Sequence, residues 1–240
     1  MESQFHKINS CSSDFLAIKY SSIKKSKNRI DPICKYPNIL NSLSNKTKIH
    51  CKKLIENSIC SKLPFHNWQH TLNVVKNVME IGSAEKIDNN SLELLVIAAY
   101  FHDVGHVSGS RNHEKMSCRY AMDFLKENGC QQDQLEIVQG IILATAMPQN
   151  PHTELQKIIC DADLSHIGKA SFWSQNEGLR LEWSVYDHNV FSDKQWVELN
   201  IKFFECHEFK TLYARDKFGK RKNRNLAQLK NQLKDLISID

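Results

Sequence analysis

Hydrophobic residues recur every three or four positions along most of the chain beyond residue 46, which is the spacing of an α-helix with one buried face. No segment shows the strict alternation that is typical of a half-buried strand, and no internal repeat is found. The predicted helices begin at Thr47 and Trp68 and then cover residues 92–102, 113–128, 135–146, 155–167, 172–185, 196–207 and 226–237. The pattern therefore predicts an all-α domain.

Capping residues and a helix breaker mark several ends of these helices. Pro64 is expected to stop the first helix, because proline in a helix interior removes a backbone hydrogen bond. Asn90 followed by Glu93 predicts a capping box before the apolar helix 92–102, and Ser192 followed by Gln195 predicts another before residue 196.

The first 45 residues differ from the rest in composition. They are rich in Ser, Asn and Lys, and seven Lys or Arg against three Asp or Glu give them a net charge of +4. Such a segment buries too little apolar surface to fold firmly, although a short helix is expected near Phe15 to Tyr20. We therefore predict a basic, partly disordered segment over residues 1–45 and one folded domain over residues 46–240.

Composition excludes several classes of protein. The chain has 240 residues and is 41% hydrophobic and 25% charged, and its 32 basic and 27 acidic residues leave a net charge of +5, too small to indicate nucleic-acid binding. The longest apolar run, Leu94 to Phe101, is far shorter than a membrane span, and no secretion signal is found. Eight scattered cysteines without a CxxC pair indicate reduced, packed thiols, including Cys118, Cys160 and Cys206, in a cytoplasmic protein.

Histidine and aspartate residues fall at positions where the helical pattern calls for apolar side chains. His66 and His70 are four residues apart, so both project from one face at the start of a helix. His102 and Asp103 end a helix so apolar that it must be buried, and a buried carboxylate needs a compensating cation. Asp163 likewise follows an apolar helix. Such a mixed nitrogen and oxygen set suits one or two divalent metal ions, among which Mn, Mg, Fe and Zn are all candidates.

These short motifs resemble those of the HD superfamily of metal-dependent phosphohydrolases, over about residues 63–210. Within that superfamily, three of them look like motifs of the class I cyclic-nucleotide phosphodiesterases: His66-Asn67-Trp68-Gln69-His70, His102-Asp103-Val104-Gly105-His106 and Asp163-Leu164-Ser165. The resemblance implies that the all-α domain is an HD-domain helical bundle. It also implies that His70, His102, Asp103 and Asp163 bind metal, that His66 protonates the leaving oxygen, and that His106 lines the second metal position.

The resemblance also suggests residues that bind substrate. Asn67 belongs to the first motif. His113, followed by Glu114 and Ser117, resembles a segment that borders the site in bacterial HD hydrolases. For His113, a direct role in the site and a role at the start of the helix both remain open. Asn200 stands where the phosphodiesterases carry a glutamine that holds the purine, and Phe203 fits the position of their aromatic clamp. The shorter amide makes the same nucleobase pose doubtful, and Phe203 could equally be a core residue.

We therefore expect a metal-dependent phosphodiesterase that acts on a small phosphorylated nucleotide, most specifically a cyclic nucleotide. Two alternatives stay open: a nucleotide phosphomonoesterase or hydrolase of guanosine tetraphosphate, and a non-catalytic nucleotide-binding module. The sequence also leaves open whether the chain forms a homodimer.

A basic stretch lies between residues 210 and 224, before the last predicted helix. It is expected to be a solvated loop, with the alternative that Arg215 or Lys217 reaches the mouth of the site and attracts an anionic substrate. The remaining histidines are expected to be structural or surface residues: His50, His152, His166, His188 and His207.

Overall fold

The computed structural model describes residues 42–109 and 112–238 of the chain. These residues form nine α-helices and no strand. The predictions for residues 1–41 lie outside this part. The helices are α1 Ser42–Glu56, α2 Trp68–Ala84, α3 Asn89–Phe101, α4 His113–Glu127, α5 Gln132–Leu143, α6 Glu154–Asp163, α7 Phe172–Tyr186, α8 Asp193–Cys206 and α9 Leu212–Ile237. The predicted all-α class is confirmed.

Helix α3 is the centre of the bundle. All of its residues from Leu95 to Phe101 are fully buried, because α1, α2, α4, α5 and α6 pack around it. A helix that is apolar on every side requires such an environment. Its carboxyl end therefore delivers the next two residues, His102 and Asp103, into the protein interior.

Short 3-10 helices follow two of the α-helices that end at the site. Val104–Ser108 continues from α3, and Leu164–Gly168 continues from α6. The second of these packs against α7 and α9. A residue at position 168 other than glycine could not sit there, because a Cβ atom would lie 2.5 Å from the Cβ atom of Phe218.

The start of α3 differs from the predicted one. The N-cap of α3 is Asp88, whose side chain accepts hydrogen bonds from the N–H groups of Asn90 and Ser91, so the predicted capping box of Asn90 and Glu93 is wrong. An aspartate directly before a helix is as good a cap as asparagine, which is why the sequence did not separate them. The capping box of Ser192 and Gln195 is present as predicted.

Helix α1 also ends earlier than expected. It stops at Glu56, before the short 3-10 helix Ile59–Lys62, so Pro64 is not what ends it. The spacing of Cys51, Leu54, Ile55 and Ile59 in the sequence predicts one buried face, but Ile59 lies beyond the end of the helix and is 44% exposed.

The last helix is much longer than predicted, because α9 begins at Leu212 and not at residue 226. The predicted loop between residues 210 and 224 is therefore wrong over most of its length. The buried face of α9 consists of four widely spaced residues, Ala214, Phe218, Asn225 and Leu229. Basic residues lie between them, so the helical spacing of the buried positions is hard to recognise in the sequence. Thr211 caps the helix by accepting a hydrogen bond from the N–H of Ala214.

The described cysteines are free thiols, as expected. Cys118 and Cys160 are buried, but Cys206 is exposed, so its predicted packing role is wrong. No α-helix among the described residues combines the length and apolar character needed to cross a membrane.

Candidate metal centre

Four side chains from three helices meet at one point in the interior. His70 lies in the first turn of α2, His102 and Asp103 follow α3, and Asp163 ends α6. The Nε2 atom of His70 lies 3.2 Å from Asp103 Oδ2 and 3.2 Å from Asp163 Oδ1. The Nε2 atom of His102 lies 3.1 Å from Asp103 Oδ2, 3.7 Å from Asp163 Oδ1 and 3.4 Å from His70 Nε2.

These separations fit a shared divalent ion. Ligand atoms about 2.1 Å from an ion are about 3.0 Å apart at right angles and about 3.4 Å apart in a tetrahedron. In addition, Asp103 Oδ2 is buried and makes no hydrogen bond of acceptable geometry within the described residues. A buried carboxylate oxygen without a hydrogen bond is costly unless a cation neutralises it.

The orientation of His102 is fixed from behind. Its Nδ1 atom donates a hydrogen bond to the carbonyl oxygen of Ala99 at 2.8 Å. A carbonyl can only accept, so Nδ1 carries a proton, and Nε2, which faces the two carboxylates, is the ring nitrogen that can bind a metal ion. This arrangement is common among metal-binding histidines.

The electrostatics of the cluster also favour a cation. Burial would lower the pKa of His70 and His102, but the two neighbouring carboxylates outweigh it and raise the pKa of both imidazoles. In the same way, burial would raise the pKa of Asp103 and Asp163, and the imidazoles hold both below their usual range. The carboxylates therefore stay ionised inside the protein and need positive charge beside them.

Glu182 on α7 holds His66 next to this cluster. The Nδ1 atom of His66 contacts Glu182 Oε1, while Glu182 Oε2 accepts hydrogen bonds from the backbone N–H groups of Phe65 at 2.9 Å and His66 at 3.0 Å. Burial would raise the pKa of Glu182, but these hydrogen bonds hold it below its usual value. An ionised Glu182 keeps a proton on Nδ1 and leaves Nε2 of His66 available to a ligand.

Three imidazole rings stack beside Asp103. The ring of His106 lies 4.3 Å from that of His66 and 4.0 Å from that of His113, nearly parallel to both. His66, Asp103 and His106 each offer one ligand atom, all within 4.8 Å of one another, as His70, His102 and Asp163 do. Asp103 lies close enough to both groups to be shared between two ions.

His106 is a neutral imidazole at physiological pH. Burial, reinforced by His66, lowers its pKa to about 2. Its Nε2 atom is buried and has no hydrogen-bond partner in the described part of the chain. A neutral ring with a free nitrogen can bind a metal ion or a water molecule, but it holds no proton to donate as an imidazolium.

The loop that carries Asp103 and His106 is fixed by Gly105 and Ser117. The N–H of Gly105 donates to the hydroxyl of Ser117 at 2.9 Å, and that hydroxyl donates to the carbonyl oxygen of His102 at 2.6 Å. A Cβ atom at position 105 would lie 1.9 Å from the carbonyl oxygen of His113. The start of α4 therefore locks the loop, which gives Ser117 and His113 a structural part in the site.

Asn77 in α2 supports Asp163 from the other side. Its amide nitrogen donates to the carbonyl oxygen of Ala162 at 3.2 Å and to Ser165 Oγ at 2.7 Å, and its amide oxygen accepts from Lys169 Nζ at 2.9 Å. The buried amide thus ties α2 to the end of α6, where Asp163 lies.

A cavity of about 430 Å³ adjoins the four converging side chains. Asp103 and Asp163 line it, together with the stacked imidazoles, and two walls come from the inner faces of α7 and α8. These walls are mostly apolar and carry Phe172, Leu179, Trp183, Trp196, Leu199 and Phe203. No lysine or arginine is among the described residues that line the cavity.

The structure brings most of the sequence-predicted site residues to this cavity, but not Asn67. Asn67 is the N-cap of α2: its amide oxygen accepts from the N–H groups of Gln69 and His70, and its nitrogen donates to the carbonyl oxygen of Leu63. These contacts position His70, and a contact between Asn67 and substrate stays a prediction. Asn200, Phe203 and His113 do line the cavity.

Arg215 and Lys217 do not reach the cavity. Arg215 donates to the carbonyl oxygens of Phe209 and Lys210, and Lys217 pairs with Glu80 at 2.5 Å. The structure therefore does not support the alternative in which one of these cations lines the mouth of the site.

Sequence reasoning missed two side chains of the site. Glu182 lies 116 residues from His66, and nothing in its local pattern indicated that contact. His166 was expected to be structural, but it lines the cavity, and burial lowers its pKa to about 4. Its position three residues after Asp163 was the one signal that could have found it.

Comparison with known families agrees with this geometry. The family model of the HD domain matches residues 67–167, a range that contains all four converging side chains. The chain therefore contains an HD domain, the domain of a superfamily of metal-dependent phosphohydrolases. No curated protein matches the chain at a significant level. The finer resemblance to class I cyclic-nucleotide phosphodiesterases stays a prediction.

Proposed function

We propose that this protein is a metal-dependent phosphodiesterase that hydrolyses a cyclic nucleotide. One observation supports the proposal: the side chains of His70, His102, Asp103 and Asp163 converge beside His66, a histidine held by a carboxylate. A phosphodiester needs both parts, because phosphorus must be activated and the departing oxygen must receive a proton.

The four convergent side chains would hold one divalent ion, and Asp103 with the imidazole stack would hold a second. When bound, such ions supply a nucleophile from water at neutral pH and polarise the phosphoryl oxygens. Asp103 and Asp163 fix the charge of the site, and Ala99 and Asn77 keep His102 and Asp163 in place.

His66 would act as the general acid. Glu182 keeps a proton on Nδ1, so a second proton on Nε2 makes the ring an imidazolium whose charge the carboxylate stabilises. As the phosphorus–oxygen bond of the leaving group breaks, the Nε2 proton passes to the departing sugar oxygen and the ring returns to neutral. Product release and reprotonation from water complete the cycle.

The charge of the cavity favours a phosphodiester over guanosine tetraphosphate. A cyclic mononucleotide carries a single negative charge, whereas the alarmone carries several and needs several cationic contacts. The described lining of the cavity has no lysine or arginine, so positive charge would come from bound metal ions and a protonated His66, which is less than an alarmone needs.

A substrate screen tests the proposal. We expect the metal-loaded protein to hydrolyse one or more cyclic mononucleotides and the activated diester bis(4-nitrophenyl) phosphate with Mn²⁺, Mg²⁺, Fe²⁺ or Zn²⁺. Cyclic dinucleotides, guanosine tetraphosphate and nucleoside monophosphates complete the panel. Turnover of the last two alone would identify a phosphomonoesterase or alarmone hydrolase, and no turnover of any compound would refute a hydrolase.

Metal content provides an independent test. The protein should bind at least one divalent ion per chain by elemental analysis after dialysis, and His102→Ala should lose it while remaining folded. His152→Ala is the matched control, because His152 is an exposed histidine that does not line the cavity. Equal metal content in the two variants would contradict the assignment of the ligands.

A further inference from the structure

One polar side chain lies in the apolar wall that α7 presents to the cavity. Phe172, Asn176, Leu179 and Trp183 recur at helical spacing and all line the cavity. Asn176 is only 7% exposed, so its amide is enclosed between the two walls. Its side chain makes no hydrogen bond to any residue in the ranges that the structure describes.

A buried amide without a hydrogen-bond partner lowers the stability of the fold. Buried amides in native proteins almost always have hydrogen-bond partners, and leucine at this position would pack with its apolar neighbours at no such cost. The amide of Asn176 therefore has its donor and acceptor free for a molecule in the cavity.

Asn200, the amide that the sequence favoured for substrate binding, is in a different situation. Its nitrogen donates a hydrogen bond of 2.8 Å to the carbonyl oxygen of Trp196 one turn earlier in α8. That bond uses one of the two N–H donors of Asn200 within its own helix. The orientation of the Asn200 amide is thereby tied to α8, whereas the whole amide of Asn176 is free for a ligand.

We propose that Asn176 recognises the substrate's organic group, by pairing with the donor–acceptor edge of a planar heteroaromatic ring such as a nucleobase. The ring would lie between α7 and α8, where Phe172, Trp183 and Phe203 offer apolar and aromatic surface. An amide matches such an edge, because it donates and accepts in one plane. This inference rests on the proposed function for the phosphate chemistry, but not for the binding of the ring.

The test compares Asn176→Leu with the wild-type protein by three measurements. Tryptophan fluorescence follows binding of AMP, GMP, CMP and UMP, because Trp183 and Trp196 line the cavity. Steady-state kinetics give kcat/KM for the four 3′,5′-cyclic mononucleotides and for bis(4-nitrophenyl) phosphate. Thermal unfolding gives Tm. Asn223→Leu, at an exposed position of α9, is the control for the substitution itself.

We expect at least one nucleotide to bind the wild-type protein and Asn176→Leu to weaken its binding and its kcat/KM about 10- to 100-fold, the effect of one or two lost hydrogen bonds. Turnover of bis(4-nitrophenyl) phosphate should stay within about twofold, and Tm should be unchanged or higher. Asn200→Leu should instead lower Tm, since it removes a hydrogen bond within the protein.

Two results would overturn the inference. One is that no nucleotide binds the wild-type protein, or that the binding affinity of Asn176→Leu differs from that of the wild type by less than about twofold. The other is a fall in Tm as large as that of Asn200→Leu, which would give Asn176 a structural role. Failure of the proposed function looks different: no phosphate ester would be hydrolysed with any metal, while nucleotide binding would still depend on Asn176, and the inference would stand without the hydrolase.

Discussion

Replacing Glu182 by glutamine isolates the contribution of a positioned general acid. The carboxylate accepts two backbone hydrogen bonds at one oxygen and contacts the ring of His66 at the other. If the amide oxygen of glutamine accepts the two N–H groups, its NH₂ group faces Nδ1 of His66 and donates to it. Nδ1 must then give up its proton, and the charged form of His66 is no longer stabilised.

The expected loss follows from that exchange. Removing a general acid typically costs a factor of about 10² to 10⁴ in rate, so kcat/KM for a cyclic nucleotide should fall by at least about 10²-fold. Bis(4-nitrophenyl) phosphate has a leaving group that needs no proton, so its turnover should change by less than about threefold. The backbone hydrogen bonds survive in the glutamine variant, so the free energy of unfolding should fall by only about 1 kcal/mol.

The assay is steady-state hydrolysis of both substrates by Glu182→Gln, with urea unfolding to confirm the fold. Glu177→Gln, an exposed position on the same helix, is the matched control. An equal loss on both substrates would show that Glu182 supports the site as a whole, and an undiminished rate on the cyclic nucleotide would remove His66 and Glu182 from the proton transfer.

Three further predictions concern the packing around the site. Gly105→Ala should abolish metal binding or folding, since its Cβ atom would lie 1.9 Å from the carbonyl oxygen of His113, and elemental analysis with circular dichroism will detect either loss. Asp161→Ala should lower the free energy of unfolding in urea by about 3 kcal/mol, because Asp161 accepts hydrogen bonds of 2.7 and 2.8 Å from the buried N–H and hydroxyl of Thr211. Asp161→Asn should lower it by less. Equal losses in the two variants would contradict this account. Burial lowers the pKa of His207 to about 3, so between pH 7 and 5 this histidine takes up a proton only in the unfolded state. Over that range the free energy of unfolding of the wild-type protein should therefore fall by about 2 kcal/mol more than that of His207→Phe. Parallel pH profiles of the two proteins would contradict this prediction.

The elements that the sequence predicted well are those whose evidence lies within a few residues. The continuous apolar run of α3 requires burial on all sides, and the structure surrounds it with five helices. A histidine and an aspartate at the end of such a run must enter the core together. That reasoning needs no knowledge of which helices form the surroundings, so it indicated a cation site near Asp103 without a fold.

Predictions failed where a local pattern had two readings. The basic residues of α9 hid a buried face of widely spaced positions, so the helix was expected to begin at residue 226 and not at Leu212. Asn67 was expected to contact substrate because its motif resembles one of the phosphodiesterases, and the sequence did not indicate that its side chain caps α2. Short polar side chains serve both purposes, and sequence spacing does not separate them.

The sequence by itself determined the helical class, because the burial pattern of a helix is a property of a single segment. Its short motifs indicated the four side chains that converge, through their resemblance to those of the HD superfamily. Only the tertiary structure decided that Glu182 contacts His66, that Asn77 supports the end of α6, and that Asn176 faces a cavity without a partner. Each of these depends on how two distant helices cross. A periodic pattern records which face of a helix is buried, but not which other helix covers it.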